Sequence, residues 1–343
     1  MSKVRLIDIA RKCGVSTATV QRVIRSSGYV SDEKRKQIQS AITDMGYIPK
    51  QVSPFADLPE AKLIAYFAPS ETHLLFGQLL DAICRVAKTN GYSIITEHIQ
   101  EGQSPLDISH AIEALRMYQI RGVILSALGD AIDFRGINRY LQMLPIPVVM
   151  VERAADIFNV NKVLINAREG IYIAVQHLVA AGHRHICMFS EKTSAEVETS
   201  RMDGFISASK MFGIEHSASL IPTDDYSFGE GYKALAQYLK EHRLPTAIIA
   251  SDSLLVGMMQ YLYEHTIRVP DTVSLVGIDN TYAGMLAPKV TSIAFPVEEI
   301  SKMTVQLILD ESGKRDNSVA KEILLSPYIV ERASVASPRR DDI

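Results

Sequence analysis

From about residue 61 to about residue 330 the chain alternates short apolar runs with helical patterns, and this alternation limits its fold more than any single motif. The runs at 63–67, 92–97, 122–125, 147–151, 162–165, 186–189, 246–250, 274–278 and 322–326 read as strands. Helices fill the gaps at about 76–90, 106–118, 134–143, 168–182, 198–212, 229–241, 253–266 and 297–311. Strands apolar on both faces, interleaved with helices, form parallel sheets with helices on either side. The fold class is therefore α/β. A single core of this kind is uncomfortable at roughly 270 residues, so two lobes are expected.

The first 50 residues differ in charge. They hold ten Lys/Arg and four Asp/Glu, a net +6, whereas the whole chain is −3 and residues 51–343 are −9. A basic end on an acidic body suits a protein that meets nucleic acid with one end, although a solvated basic surface has the same charge. The helix pattern favours the first reading. Leu6, Ile9, Ala10 and Cys13 share a helical face, and Gly14 can take the positive φ that ends a helix. Ser16 is placed to cap a second helix, with Val20, Val23 and Ile24 inward. Two short helices across a tight Gly-containing turn form a helix-turn-helix, whose second helix offers its first residues to base edges in the major groove. A third helix starts near Ser31, carries Lys34, Arg35 and Lys36, and turns Ile38, Ala41, Ile42 and Met45 inward before Gly46.

Residues 4–10 and 14–24, then Tyr29-Val30-Ser31 and Met45-Gly46-Tyr47-Ile48-Pro49, resemble the head of the lactose-repressor (LacI) family in a dense, almost ungapped match. The resemblance implies that Thr17, Ala18 and Arg22 read bases, that Ser16, Thr19 and Ser31 hold phosphates, and that Tyr29 and Tyr47 belong to the DNA-facing set. The chemistry agrees: a guanidinium can hold guanine through two hydrogen bonds, and the methyls of Thr17 and Ala18 can meet a thymine methyl. For Ser16 and Thr19, helix capping alone is the competing role. Gln21 stands where the family usually has Ser, and Arg25 where it usually has Asn, which leaves the operator sequence open.

After Pro49 the family usually has a hinge helix that wedges a Leu into the minor groove. Here residues 50–59 lack the family's Ala-Arg-x-Leu pattern, Ala56 stands at the wedge position, and Pro54 and Pro59 interrupt a helix. Phe55 or Leu58 is a displaced wedge in one reading. In the other, the segment is an extended Pro-stiffened linker without groove contact.

The body resembles the same family, and through it the periplasmic sugar-binding fold, at 64–69, 177–178, 182–186, 201–205, 251–252 and 273–279. The resemblance implies a three-helix helix-turn-helix head over 1–48, a hinge over 49–60, and a bilobal periplasmic-binding-protein-like body with two parallel sheets over 61–336. It divides the body into an N-subdomain of about 61–160 plus 292–321 and a C-subdomain of about 161–291 plus 322–336. Three crossings join the lobes, a ligand sits between them, and 337–343 is a polar tail.

Polar residues just after strands are the cleft candidates, because open α/β sheets take ligands at the carboxyl ends of their strands. Ser70, His73 and Phe76 follow the first strand, and Arg153 follows the run at 147–151. Arg201 lies at a helix start, Tyr226 in a loop, and Asp252 and Asp279 after two further strands. By resemblance Arg201 and Asp252 are the best-placed ligand contacts, on opposite walls, with Tyr226 against the apolar face of a sugar ring. Structural roles compete: an inter-lobe salt bridge for Arg201, a helix N-cap for Asp252, a cap for Asp279 and a rim position for His73. Phe295 stands where the family often has Gln and, with Phe76, Tyr226 and Phe228, implies an aromatic cleft. Arg153 and Arg201 together would suit a carboxylate or phosphate, so an acidic or phosphorylated sugar is one option for the ligand, unless Glu152 neutralises Arg153.

No apolar segment precedes the head and no run of about 18 apolar residues suggests a membrane span, so a cytoplasmic protein without a membrane partner is expected. Cys13, Cys84 and Cys187 sit singly in apolar patterns and are expected as buried free thiols. Neither a metal-spaced Cys/His cluster nor a phosphate loop nor a nucleophile elbow stands out, so enzyme, cofactor and metal readings are not favoured. The expectation is a LacI-type transcription regulator, by default a repressor. As a homodimer it would bind a palindromic double-stranded operator and respond to a sugar-like small molecule. The alternatives are an activator, a regulator with weak hinge coupling, and a free sugar-binding protein, against which the head argues.

Overall fold

Three short amphipathic helices build the first of two units, Met1–Ala61, while Lys62–Ile343 forms the second. The computed structural model describes residues 5–24, 28–45, 62–69, 74–99, 104–126, 134–152, 159–192, 196–311 and 320–339. In the first unit α1 is Leu6–Cys13, α2 is Thr17–Ile24 and α3 is Asp32–Asp44. Asp8 accepts from the Arg5 backbone N–H at 2.8 Å and closes the first turn of α1. Gly14 ends that helix at φ 62°. Ser16 Oγ accepts from the Thr19 backbone N–H at 3.2 Å and so caps α2. Ile9, Ala10, Cys13, Val20, Val23, Val30, Ile38 and Ala41 bury into one small core. Leu6, Ile24, Ile42 and Met45 pack at its edge.

In the second unit six strands form one sheet: β1 Lys62–Pro69, β2 Tyr92–Ile99, β3 Val123–Ser126, β4 Val148–Val151, β5 Asn161–Ile165 and β11 Glu322–Leu325. A second sheet holds β6 Ile186–Glu191, β7 Ala218–Thr223, β8 Ala247–Ser251, β9 Ser274–Asp279, β10 Thr291–Ala294 and β12 Tyr328–Val330. The strand orders, β2-β1-β3-β4-β5-β11 and β7-β6-β8-β9-β10-β12, repeat one plan. Every pair is parallel except β10–β12. The helices are α4 Leu74–Thr89, α5 Pro105–Arg116, α6 Phe134–Met143, α7 Ala167–Ala180, α8 Glu196–Met211, α9 Phe228–Glu241, α10 Asp252–Glu264 and α11 Val297–Glu311.

Apolar residues of α5 and α6 cover one face of the first sheet. Those of α9 and α10 cover one face of the second. The opposite faces, with α4, α11, α7 and α8, share a third cluster that includes Ile64, Leu79, Ile171, Phe205 and Ile308. Each sheet therefore loses both faces to helices, as its continuous apolar strands require.

Sheet membership differs from the expected subdomain boundaries by one strand at each crossing. β5 and β11, expected in the C-subdomain, pair with each other and with β4 in the first sheet. β10, expected in the N-subdomain, pairs with β9 in the second. Each crossing follows its strand because the edge N–H and C=O groups find partners only in the sheet the chain is about to leave. The strands β7, β10 and β12 go beyond the expected set. β7 lies at the sheet edge and carries Pro222, which only an edge or terminal position tolerates, and β10 and β12 span four and three residues. Cys13 and Cys187 are buried free thiols as expected, whereas Cys84 is half-buried.

α9 and α10 approach so closely that a Cβ on Gly231 would overlap the Leu254 carbonyl, and one on Gly257 the Phe228 carbonyl. Gly257→Ala should therefore destabilise the protein by about 3 kcal/mol or more, read as a lower urea midpoint. Gly77→Ala on α4, where a Cβ would meet nothing within 4 Å, should raise stability through helix propensity by up to about 1 kcal/mol.

Candidate functional sites: the basic head and the interlobe cleft

The inward face of α2 is spent on the core, which leaves Thr17, Ala18, Gln21 and Arg22 exposed on the other side together with the capping residue Ser16. Thr19 is half-buried, held by its neighbour Ser16 through hydroxyls 3.0 Å apart. No acid lies in the first turn of α2, so its N-terminal amides and helix dipole face outward unopposed from within the helix. Tyr29 is 92 % exposed and Ser31 is exposed beside it. Gly28, at φ +70°, lies against the Arg22 stem, where a Cβ would stand 3.4 Å from Cδ. Exposed hydroxyls, a methyl, an amide and a guanidinium on one short helix are the donors and apolar contacts that base reading needs. Tyr47, Pro54, Phe55 and Leu58 lie outside the described residues.

In the second unit the polar ends of the two sheets converge. From the first sheet come Tyr66 on β1, Ser126 at the end of β3 and Glu152 just past β4; Tyr66 and Ser126 are fully buried. From the second come Ser190 at the end of β6, Glu198 and Arg201 on α8, Tyr226 before α9, and Asp279 at the end of β9. Arg201, 6 % exposed, is the centre. Its Nη1 donates to Glu198 Oε1 at 2.7 Å and to the Tyr226 hydroxyl at 3.3 Å, and its Nη2 donates to Asp279 Oδ1 at 3.1 Å. Glu198, 3 % exposed, accepts from Ser190 Oγ at 2.6 Å through its other oxygen.

Burial alone would lower the Arg201 pKa, but Glu198, Tyr226, Asp279 and Glu152 outweigh it and raise it, so the guanidinium stays charged. Burial pushes the Tyr66 phenol up to about 12, and the Glu152 carboxylate adds to the shift. The Glu152 carboxylate thus bears on Tyr66 in the first sheet and on Arg201 in the second. Burial likewise raises the Tyr226 phenol well above its ordinary value, so it serves there as a neutral hydroxyl.

Several expected cleft residues stand elsewhere. Asp252 is 0 % exposed. Its Oδ2 accepts from the backbone N–H groups of Tyr282 and Ala283 at 3.0 and 2.9 Å, and its Oδ1 accepts from Ser292 Oγ at 2.9 Å. That geometry makes Asp252 the internal tie of the loop after β9, not a wall of the cleft; the cap of α10 is Ser251, whose Oγ accepts from Leu254 N–H at 3.4 Å. The same loop carries Asp279 and Asn280 at φ 88° and 52°. Arg332 grips it from the far side, donating to Asn280 Oδ1 and to the Val290 carbonyl, each at 2.6 Å. Left-handed backbone at two successive non-glycine residues persists only where surrounding bonds over-determine it, and here they do. Phe295 is buried in the shared apolar cluster, with Phe76 packed against that cluster, because the chain there turns from β10 into α11. Phe228 is half-exposed and meets Tyr282 edge-on at 5.3 Å. The expected aromatic cleft is therefore reduced to Tyr226. Ser70, His73 and Arg153 lie outside the described residues.

Glu198, Ser190, Tyr66 and Ser126 join the site without having been expected there. Glu198 stands three residues before Arg201, a spacing that brings side chains together on a helix, so its signal is present in the sequence. Among the described residues no group of His, Cys, Asp and Glu is arranged to hold a metal.

Burial, then the Asp279 charge, pushes the Asp252 carboxyl up to about 6 from 3.8, against the pull of its hydrogen bonds. The folded state then holds this proton more tightly than the unfolded chain. The resulting stability is fully present below the unfolded value of 3.8 and is lost as pH rises through about 6. Urea unfolding should show the wild type losing up to about 3 kcal/mol relative to Asp252→Asn across that window. A constant difference between the two proteins would contradict the assignment.

Comparison with known proteins agrees with both halves of this picture. Residues 5–50 match the bacterial regulatory proteins of the lacI family, and residues 175–335 match a periplasmic binding protein-like domain. The chain is 29 % identical to the HTH-type transcriptional repressor PurR of Serratia proteamaculans over 96 % of either protein. Its fold matches the lac repressor dimer bound to operator and the anti-inducer ONPF with a TM-score of 0.71 and 24 % identity, over 98 % of this chain and 100 % of that one. A LacI family transcriptional regulator from Enterococcus faecium with bound ribose matches with a TM-score of 0.69 and 24 % identity, over 81 % of this chain and 100 % of that one. Head, body and end-to-end likeness agree: residues 5–50 carry a domain of the lacI family of bacterial regulatory proteins, residues 175–335 carry a periplasmic binding protein-like domain, and the chain is similar over nearly its whole length to a transcriptional repressor.

Proposed function

We propose that the protein is an effector-responsive transcriptional repressor. Two copies place their α2 helices on the half-sites of a two-fold symmetric operator, and a small molecule in the interlobe cleft changes operator affinity. The observation that carries the effector half is the buried network in which Arg201 donates to Glu198, Tyr226 and Asp279 at the carboxyl ends of the second sheet, with the Glu152 charge from the first sheet bearing on it. A ligand bridging those groups favours one separation of the lobes and shifts the equilibrium between DNA-binding forms by its differential affinity for them. The DNA half rests on the exposed face of α2 and on the match of residues 5–50 to the lacI family of bacterial regulatory proteins.

A sugar or sugar derivative suits the cleft. Its groups pair carboxylate acceptors with a guanidinium and hydroxyls, the set that a polyol engages, and Tyr226 supplies a ring. Bound ribose in the Enterococcus faecium regulator of the same fold supports this choice. Arg201 and Tyr226 are the proposed contacts from the second lobe, with Asp279 beside them. Binding an operator places the work of the protein in the cytoplasm, and neither catalysis nor a resident cofactor is part of this reading.

Selection from random duplex DNA by the purified full-length protein at near-physiological salt should enrich a palindrome, because a two-fold symmetric dimer is mirrored in its site. Failure to enrich any sequence, with and without a panel of sugars, would contradict the proposal. On the selected site Arg22→Ala should cost about 1–3 kcal/mol and flatten base preference, while weak salt-sensitive binding persists through phosphate contacts.

A further inference from the structure

Acids hold the Arg201 guanidinium from more than one side. Arg201 donates to Glu198 at 2.7 Å and to Asp279 at 3.1 Å, and Glu152 acts on it as well, so three carboxylates face one cation among the described residues. Glu198 differs from the other two. It is fixed on the same helix three residues away and is held again by the Ser190 hydroxyl at 2.6 Å. Any movement of α8 carries Glu198 and Arg201 together, so lobe opening does not separate them.

We propose that Glu198 is a specificity-determining residue that closes the cleft to anionic effectors. It occupies Arg201 with a carboxylate of this chain, so that the cleft takes neutral polyols and rejects ligands bearing a carboxylate or phosphate. This rests on the reading that the effector binds in the cleft. An anionic ligand has two ways in, and both are costly. Displacing Glu198 from Arg201 leaves a buried carboxylate without its cation, which is strongly unfavourable. Binding beside the intact pair sets one more negative charge among three carboxylates in a desolvated space. A hydroxyl-bearing neutral ligand meets neither cost, since it can donate to carboxylates and accept from the guanidinium. The pairing also answers the question that Arg153 and Arg201 raise in the sequence: Arg201 is already neutralised from within α8.

The substitution Glu198→Gln keeps the length and an oxygen acceptor for Arg201, turns an amide NH2 toward the Ser190 hydroxyl, which can accept as well as donate, and removes one negative charge. Calorimetric titration of wild type and E198Q with matched probes, glucose against glucuronate and glucose 6-phosphate, reads the selectivity directly. The wild type should show no cleft binding of the two anions, and E198Q should gain at least about tenfold in anion affinity. The gain should disappear in the double variant E198Q/R201M, and Glu198→Asp, which preserves the charge, should keep the rejection. A purely structural role for Glu198 would move thermal stability but not the ratio between neutral and anionic probes. The proposal is overturned if the wild type binds either anion in a manner lost on Arg201→Met, or if folded E198Q gains none. Should E198Q fail to fold, the wild-type titration alone still decides between rejection and binding. Failure of the effector reading is a separate result: anion selectivity would invert in E198Q while no ligand of the cleft altered operator affinity.

Discussion

A buried guanidinium is tolerable only where anions replace the water it has lost, and the cleft is organised around meeting that need for Arg201. Glu198 meets it from within α8, and Asp279 meets it from the end of β9. Asp279 can do so only because its loop is held in a left-handed conformation by Asp252, Ser292 and Arg332. One desolvated charge therefore fixes the rotamer of a helix residue, the path of a strained loop and the role of a second buried acid. The same constraint gives the cleft its chemical character: one guanidinium held by carboxylates, beside the Tyr66, Ser126 and Tyr226 hydroxyls.

Duplication of one parallel plan explains why such a site exists at all. In each sheet the strand order reverses beside its first strand, so each lobe opens a crevice at the carboxyl ends of its strands. The crossings after β5, β10 and β11 set those two crevices against each other, and the apolar cluster running through α4, α11, α7 and α8 belongs to both sheets. Polar ends facing each other across short crossings are suited to sensing a small molecule, because the ligand completes contacts that neither lobe completes alone.

Local rules read the head and the helices well and the site unevenly. Gly14, Ser16 and the spacing of Ile9, Cys13, Val20 and Val23 act within a few residues, so the amino-acid sequence alone is enough to read the bundle. The helices of the body are legible for the same reason. Strand membership is not, since which sheet β5, β10 or β11 joins depends on partners a hundred or more residues away in the cases of β5 and β11. Asp252 and Asp279 look alike in sequence, each closing an apolar strand. Only the course of the loop at 279–283 decides that one carboxylate turns inward and the other meets Arg201. Phe295 defeats sequence reasoning because a residue at a lobe crossing can face cleft or core with equal ease. Glu198 escapes a search confined to strand ends, although its helical spacing to Arg201 announces the pair.

Coupling between cleft and operator is reciprocal by linkage. The most direct measurement is the affinity of a cleft ligand, taken with the protein free and with it saturated by its selected operator. The ligand's Kd should change on operator binding by the same factor as the operator's Kd changes on ligand binding. A ligand that occupies the cleft with one affinity in both states would show that the cleft does not communicate with the DNA-binding head.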